Sequence, residues 1–276
     1  MTDRYAVIGN PVAHSKSPFI HAEFARQTGQ DLVYERILAP LDGFAAAVQD
    51  FRAAGGSGLN VTLPFKLEAF RLANQRGARA QDAEAVNTLK FEGATIYGDN
   101  TDGVGLVRDI QANLGYQIEG RDVLMMGAGG AAQGALGVLL EAKPARLVIA
   151  NRTVEKAERL AGRWRSARSI SAAMLSASGY PELAGRPFDL IVNSTAASLN
   201  DTAPDLPEGT FGRDCLAYDM MYGKGMTPFL EMALTQGAAR LADGIGMLVE
   251  QAAESFLIWR GVRPQTRPVI EALKAR

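Results

Sequence analysis

The chain has 276 residues, 47% of them hydrophobic and 21% charged, with a formal net charge of -1. Those proportions are those of a soluble globular protein and exclude a disordered chain. With no long run of lysine or arginine, the charge gives no electrostatic case for a nucleic-acid or anionic-membrane partner. The length suits two domains of ordinary size or one large one. A single cysteine, Cys215, forbids an intrachain disulfide and fits a reducing compartment. It lies in an apolar, strand-like run and reads as a packing residue rather than a nucleophile. The start, MTDRYAVIGNP, carries charges where a signal peptide needs an apolar core. The uncharged stretch from Val123 to Leu140 contains glycines 127, 129, 130, 134 and 137, too many for a membrane span. The expectation is a soluble, cytoplasmic protein.

In chain order, YAVIG reads as a strand, SPFIHAEFARQTG as a helix, LVYERILA as a strand and FAAAVQDFRAAG as a helix. GLNVTL follows as a strand and PFKLEAFRLAN as a helix, and AVNTLKFEG with ATIYGDN reads as a hairpin across Glu92–Gly93. A helix, GVGLVRDIQANLG, leads to a second series: strand DVLMMG, helix AAQGALGVLLEA, strand RLVIANR, helix VEKAERLAGRWR, then strands FDLIVNST and CLAYDMMY. The chain closes with the helix GMLVEQAAESFLIWRG and a shorter one in PVIEALKAR. Strands alternating with helices predict an α/β fold with a mostly parallel sheet. The second series, 104–242, forms a self-sufficient Rossmann-type nucleotide-binding domain. The tail has no strands of its own and must pack on something already built, which gives a first domain of 1–103 and 243–276.

The strand DVLMMG runs into Gly127-Ala128-Gly129-Gly130-Ala131 and then a helix, with Ala132 in the third small position. Small residues let the backbone turn sharply and approach a pyrophosphate, which then sits against free N–H groups at the helix start. In NAD-binding folds an acid ends the next strand, roughly 20 residues beyond the turn, and accepts from the ribose 2′-OH. Here that strand ends in Asn151-Arg152-Thr153, with Lys156 one turn later. An acid there would repel a 2′-phosphate, whereas Arg152 and Lys156 attract it, and the planar Arg152 can also stack on adenine. The competing reading is a solvated polar loop. The charge pattern favours NADP.

In GLNVTLPFK, Leu59, Val61 and Leu63 alternate with Asn60 and Thr62, so strand period 2 sends the two sets to opposite faces. Pro64 at the first helical position would put Lys66 in the first turn, where a cation opposes the helix dipole. Such a lysine is either merely solvated or kept for proton transfer. The cluster GDNTDG, with Asp99, Asn100 and Asp102, closes a strand and reads as a turn; it lacks the ligand pattern of a calcium loop. Asn87 interrupts the apolar start of AVNTL, an unexpected place for an amide without a partner. Ser15 and Ser17 in NPVAHSKSP either donate to an anion or cap the next helix, as Ser17 before Pro18 would. His14 reads as structural and His21 as helix surface.

Taken together, YAVIGNPVAHSKSP, GLNVTLPFK, AVNTL, GDNTDGVG, GAGGAA, NRT, DMMYG, TPFL and DGIGMLVEQAAESF closely resemble the shikimate dehydrogenase family, in order and over nearly the whole chain. The resemblance implies NADP-dependent interconversion of 3-dehydroshikimate and shikimate, a step of aromatic amino-acid biosynthesis. It implies Lys66 and Asp102 as the catalytic pair. Ser15, Ser17 and Thr62 become binders of the substrate carboxylate, Asn60 lines the same pocket, and Asn87, Tyr222 and Gln251 make other substrate contacts. Gly127, Ala128, Gly129, Gly130 and Ala131 become the pyrophosphate turn; Asn151, Arg152, Thr153 and Lys156 the adenosine-phosphate clamp; Met220 and Gly244 positions beside the nicotinamide.

The residue chemistry agrees. A hydroxylated ring acid needs hydroxyl donors for its carboxylate, carboxylate or amide groups for its diols, and one group to handle a proton. Met247 and Gln251 share a helix face that can meet cofactor and substrate, while Leu248, Ala252, Phe256 and Trp259 read as core. Two departures stand out. NSTAASL, with Ser198, replaces a glycine-containing turn, and Lys156 stands where relatives often carry arginine, keeping the charge but losing the fork. Softer discrimination against NAD follows. The partners expected are a small-molecule substrate and no nucleic acid, membrane or metal, in a monomer or homodimer. Two alternatives are a quinate/shikimate dehydrogenase of broad specificity and a non-catalytic NADP-binding regulator. Two serines at 15 and 17 favour the shikimate-type pocket over the first, and an intact Lys66 and Asp102 weigh against the second.

Overall fold

Strict alternation in DRYAVIG sends Tyr5 and Val7 to one face of β1 (Asp3–Gly9) and Ala6 and Ile8 to the other, and all four are buried. A strand apolar on both faces belongs inside a sheet covered on both sides. In the computed structural model, which describes the chain apart from residues 1, 196, 198–201, 204, 224 and 276, β1 is the second strand of a six-stranded sheet. The chain continues through α1 (Ser17–Thr28), β2 (Leu32–Leu38), α2 (Phe44–Ala53), β3 (Gly56–Val61), α3 (Lys66–Leu72), β4 (Gln75–Arg76), α4 (Ala78–Ala83), β5 (Thr88–Glu92) and β6 (Thr95–Asp99). The sheet order is β2-β1-β3-β5-β6-β4. β2, β1 and β3 are parallel, while β5 runs antiparallel to both β3 and β6. The reversal has a consequence for chemistry: β1, β3 and β6 end at the same edge where β5 begins. Asn60 pairs with Thr88, and Thr88 with Asp99, along that edge.

One face of this sheet carries the apolar cluster of Ala6, Ile8, Phe44, Val48, Leu59, Phe65, Ala69 and Leu89. Against Tyr5, Trp259 stacks with ring centroids 4.6 Å apart, and its indole N–H donates to the Leu89 carbonyl at 2.9 Å. Trp259 comes from α9 (Ile245–Arg260), which α10 (Arg267–Lys274) follows.

The second sheet is built on α5 (Asp102–Arg108), which runs into a π-helical turn over Asp109–Asn113, then β7 (Asp122–Met126), α6 (Gly130–Glu141), β8 (Arg146–Ala150), α7 (Val154–Arg168), β9 (Leu175–Ser178), β10 (Phe188–Asn193), β11 (Phe211–Asp219), α8 (Pro228–Thr235) and β12 (Arg240–Ala242). Its strands are all parallel, in the order β12-β11-β10-β7-β8-β9. This is the doubly wound order, and the direction of winding reverses between β7 and β10. Val123 and Met125 of β7 enter one apolar cluster, Leu124 and Met126 the other, as a sheet covered on both faces demands. Cys215 is fully buried in the second of these clusters, and burial pushes its thiol up to about 12, so it packs and does not attack.

The chain divides into two compact units, Met1–Gly105 with Leu248–Arg276, and Leu106–Met247. Met247 is 8% exposed and belongs to the apolar core of the second unit. Among the described residues, no helix is long and apolar enough to cross a membrane. Several elements lie outside the sequence reading: β4, α4, β9, α8 and β12 are each at most eight residues long, too short to show a period. Pro64 is not the first residue of α3, which starts at Lys66 after Phe65; Pro64 lies in the connection, after a cis peptide bond. The strand expected from Ala85 begins only at Thr88, so Asn87 precedes it.

Gly58 illustrates how tightly Trp259 is seated, because a Cβ there would stand 2.7 Å from both the Leu89 carbonyl oxygen and the indole nitrogen. Gly58→Ala is expected to destabilise the protein by about 1–3 kcal/mol through overpacking. Gly162, inside α7, has nothing within 4 Å of the same position, and Gly162→Ala is expected to stabilise by roughly 1 kcal/mol. Denaturant midpoints of the two variants check the opposite signs.

Candidate functional site

Lys66 opens α3 directly beyond the carboxyl end of β3, and Asp102 opens α5 shortly beyond β6. The two strands end at one edge of the sheet, and the side chains meet there: Lys66 Nζ lies 2.6 Å from Asp102 Oδ2. The lysine is 25% exposed and the aspartate 9%, so the carboxylate is nearly out of water while the ammonium stays accessible. Asn87 donates to the other carboxylate oxygen, Oδ1, at 2.8 Å. The same amide oxygen accepts from the Thr101 backbone N–H and from the Thr88 hydroxyl, both at 2.9 Å. The amide that looked misplaced in an apolar run therefore has partners on every side. Asn100 accepts from the Asp102 backbone N–H at 3.1 Å, which seats the first turn of α5.

Gln251 lies on the α9 face toward this cluster: its Oε1 accepts from Thr101 at 3.3 Å and lies 3.4 Å from Asn87 Nδ2. One turn on, Ser255 Oγ is 2.7 Å from Thr88 Oγ1. Asn60 is 6% exposed, and its amide nitrogen donates to Ser255 Oγ, Thr88 Oγ1 and the Asn87 carbonyl. Its oxygen accepts from Tyr34 at 2.7 Å and from His21 Nε2 at 3.1 Å. Every polar atom of Asn60 is thus taken by protein, so it holds the edge together. His21 is fully buried, not on the helix surface: it stacks on Tyr34 at 4.2 Å and lies among Phe24, Phe256 and Trp259. Its position on α1 is an inward one that a weakly amphipathic sequence conceals. His14 is exposed.

Ser15 and Ser17 approach each other, Oγ to Oγ 3.2 Å, and Ser15 accepts from the Ser17 backbone N–H. Ser17 does not cap α1; it is the helix's first residue. Arg36 donates to the Ser15 carbonyl at 2.6 Å and secures this loop. Thr62 follows β3, and its methyl group sits where a Cβ on Gly9 would be, 2.3 Å away, so only glycine lets the β1 and β3 ends lie this close.

A charged network backs the loop that carries Asp102. Arg79 reaches both oxygens of Asp99, at 2.6 and 3.2 Å, and donates to Glu254 at 2.7 Å. Arg263 joins Glu254 and Glu250. Burial works against the Arg79 charge, but the hydrogen bonds and charges of Asp99 and Glu254 outweigh it and raise its pKa. Asp99 Oδ1 also accepts from the Asn100 backbone N–H at 2.7 Å. Arg79, Thr88, Thr101 and Ser255 are absent from the sequence reading. Ser255 alone left a signal there, four residues from Gln251 on one helix face.

In the second unit, Gly127 ends β7 with φ +99° and donates its N–H to the Ala150 carbonyl at 2.7 Å. A Cβ there would meet Ser194 Oγ at 2.8 Å, so the turn lies against the end of β10, at the point where the winding reverses. Gly129 caps α6 without a side-chain hydrogen bond, and neither Gly129 nor Gly130 has anything within 4 Å of a would-be Cβ. Open space over uncapped helix N–H groups fits a pyrophosphate. Ala128 and Ala131 are half-buried beside it. After β8, Asn151 donates to the Thr153 carbonyl at 2.8 Å and shapes the loop, while Arg152, Thr153 and Lys156 are exposed. The Arg152 charge acts on the Tyr180 phenol, although burial dominates and pushes that phenol up to about 12. Met220 is half-buried after β11, and Gly244 packs on its carbonyl, which would lie 2.2 Å from a Cβ. Burial raises the Tyr222 phenol as well. Ser198 lies outside the described residues.

Three family descriptions match the chain: a shikimate dehydrogenase substrate-binding domain at 7–89, a shikimate/quinate 5-dehydrogenase at 109–201, and a shikimate 5′-dehydrogenase C-terminal domain at 244–274. Shikimate dehydrogenase (NADP(+)) of Nitrosospira multiformis is 60% identical over 275 residues, covering 100% of this chain and 98% of its own. Among solved structures, an Ael1 enzyme from Pseudomonas putida is 52% identical with a TM-score of 0.91, covering 99% of this chain and 98% of its own. A shikimate 5-dehydrogenase from Thermus thermophilus, in complex with NADP(H) and shikimate, is 32% identical with a TM-score of 0.87 and 99% coverage of both chains.

The buried imidazole beside Asn60 gives the site a pH signature. Burial lowers the His21 pKa from 6.5 to about 3, against the hydrogen bond to Asn60, which acts to raise it. The unfolded chain therefore takes up a proton below about pH 6.5 that the folded chain refuses until about pH 3. Stability from this residue is full above pH 6.5 and is lost as pH falls through that window. Denaturant titrations from pH 7 to 4 should show His21→Phe with a shallower acid loss than the parent, by up to one proton in slope; equal slopes would mean the imidazole is already charged.

Proposed function

The chain belongs to the shikimate dehydrogenase family, and on that premise we propose that it reversibly reduces 3-dehydroshikimate to shikimate with NADPH, as a step of aromatic amino-acid biosynthesis in the cytoplasm. The observation that carries the reading is the pair Lys66–Asp102, 2.6 Å apart at the edge of a sheet, with the carboxylate shielded and the ammonium accessible. Reducing a ketone requires a proton at its oxygen as well as a hydride at its carbon. Bound at the Gly127 turn, the cofactor supplies the hydride. Lys66 donates the proton to the carbonyl oxygen and recovers it in the reverse direction. Asp102 holds the ammonium in line and accepts from a ring hydroxyl, and Asn87 keeps that carboxylate oriented through its bond to Oδ1.

The remaining roles follow from donor type. Ser15, Ser17 and Thr62 offer hydroxyl donors to the substrate carboxylate, and Asn87, Gln251 and Tyr222 polar groups to the ring hydroxyls. Asn60 shapes this pocket from beneath, because its own amide is fully engaged. Gly127 to Ala131 hold the pyrophosphate; Asn151, Arg152, Thr153 and Lys156 hold the adenosine phosphate; Met220 and Gly244 border the nicotinamide. The substrate-binding catalytic domain is 1–103 with 243–276 and the NADP-binding domain 104–242, in a protein that works as a monomer or homodimer without metal, nucleic acid or membrane.

Steady-state rates with shikimate and with quinate, each with NADP and NAD, test the reading. Turnover is expected with shikimate and NADP above all other pairs; no turnover with any pair would defeat it, and equal rates on quinate would make this a broad-specificity enzyme. Lys66→Ala should lower kcat by about 10²–10⁴-fold with a smaller change in KM. An unchanged kcat would remove Lys66 from the proton path.

A further inference from the structure

Helix α7 carries Lys156, Arg159, Leu160 and Arg163 at positions i, i+3, i+4 and i+7, which is one helix face. These four side chains line a single cleft of about 370 Å³, whose other walls are Ala128 of the glycine turn and Gln133 of α6. The lining holds three cations and no acid. Lys156 and Arg159 are exposed and, among the described residues, their side chains make no ion pair or hydrogen bond. Two like charges three residues apart on one helix face repel each other, so Lys156 and Arg159 gain from an anion that enters between them.

The cleft's other wall identifies that anion. Ala128 belongs to the turn read as the pyrophosphate site, and Lys156 to the clamp read as the adenosine-phosphate site. An anion that reaches this cleft while its parent molecule occupies the turn is a phosphate on the adenosine half of that molecule. Lys156 brings a compact point charge, whereas Arg159, one turn further on, brings a planar fork with paired donors suited to a phosphate. We propose that Arg159 is a specificity-determining residue of the cofactor clamp, supplying to the 2′-phosphate the bidentate contact that Lys156 cannot. This rests on the NADP reading above, and it reverses the softer selectivity that Lys156 alone implies.

The test is calorimetric and independent of turnover: dissociation constants of NADP⁺, NAD⁺ and adenosine 2′-monophosphate for the parent, Arg159→Ala, Arg159→Lys and Lys156→Ala. Arg159→Ala should weaken NADP⁺ and adenosine 2′-monophosphate by roughly tenfold or more, the usual scale for a hydrogen bond to a charged group, and leave NAD⁺ unchanged. Arg159→Lys should recover part of the loss, and the Arg159→Ala effect on NADP⁺ should fade as salt is raised. Equal weakening of NADP⁺ and NAD⁺, or less than twofold weakening of NADP⁺ by Arg159→Ala in a parent that prefers NADP⁺, overturns the assignment and leaves the cofactor reading standing. A parent that binds NADP⁺ no more tightly than NAD⁺ overturns both.

Discussion

A carboxylate with 9% of its side chain exposed can hold an ammonium group only if both of its oxygens are satisfied, because an unpaired buried charge costs several kcal/mol, on the order of 3–5 when a partner is removed. In Asp102 one oxygen takes Lys66 and the other takes the amide of Asn87. A primary amide suits this position because it donates and accepts at once: while its nitrogen serves Asp102, its oxygen collects the Thr101 N–H and the Thr88 hydroxyl. Asn87 in turn is held by its backbone, which bonds Val61 at the end of β3 and Asp99 at the end of β6. The Lys66–Asp102 pair is therefore tied, through Asn87, to the two strands whose ends deliver it.

Behind that edge the first unit uses two different supports. Asn60, His21, Tyr34, Thr88 and Ser255 form a buried polar seam in which a neutral imidazole is stacked among aromatic rings. Arg79, Asp99, Glu254, Arg263 and Glu250 form a charged one, which anchors the loop from Asp99 to Asp102 against α9. The neutral seam joins α1, β2, β3, β5 and α9, whereas the charged one draws α4, β6, α9 and the segment before α10 to one point. In the second unit the support is steric rather than electrostatic. Gly127 meets Ser194, Gly137 faces Trp164 and Gly244 meets the Met220 carbonyl, so three missing side chains set the spacing of the turn, the helices and the last loop.

Much of this is legible in the sequence because the long elements declare themselves. β1, β7 and β8 are compact apolar runs, as strands buried on both faces must be, and the helices α1, α6, α7 and α9 are each at least twelve residues long, too long for a strand. Short elements do not, and β4, α4 and β12 went unseen for that reason. The buried position of His21 is hidden because its helix is only weakly amphipathic, so nothing local says which face an imidazole takes. The place of Pro64 is equally hidden, because a proline before a helix can sit in the connection as readily as at its first position. Asn87 was the opposite case: its place in an apolar run marked it as unusual, but not which groups it would serve.

The sequence alone shows the chemistry available: a glycine turn between strand and helix, a cationic loop where an acid would select NAD, and a lysine and an aspartate close behind strands. Each is local, since a backbone that must turn within a few residues, or a helix that must start, constrains its own residue types. Which of these groups meet is set by the folded chain. Lys66 and Asp102 are 36 residues apart, and Asn60 and Ser255 are 195 apart. They come together because β5 runs against its neighbours and α9 returns to a sheet completed far earlier in the chain. Such proximity is a property of sheet order and chain return, and no spacing along the sequence carries it.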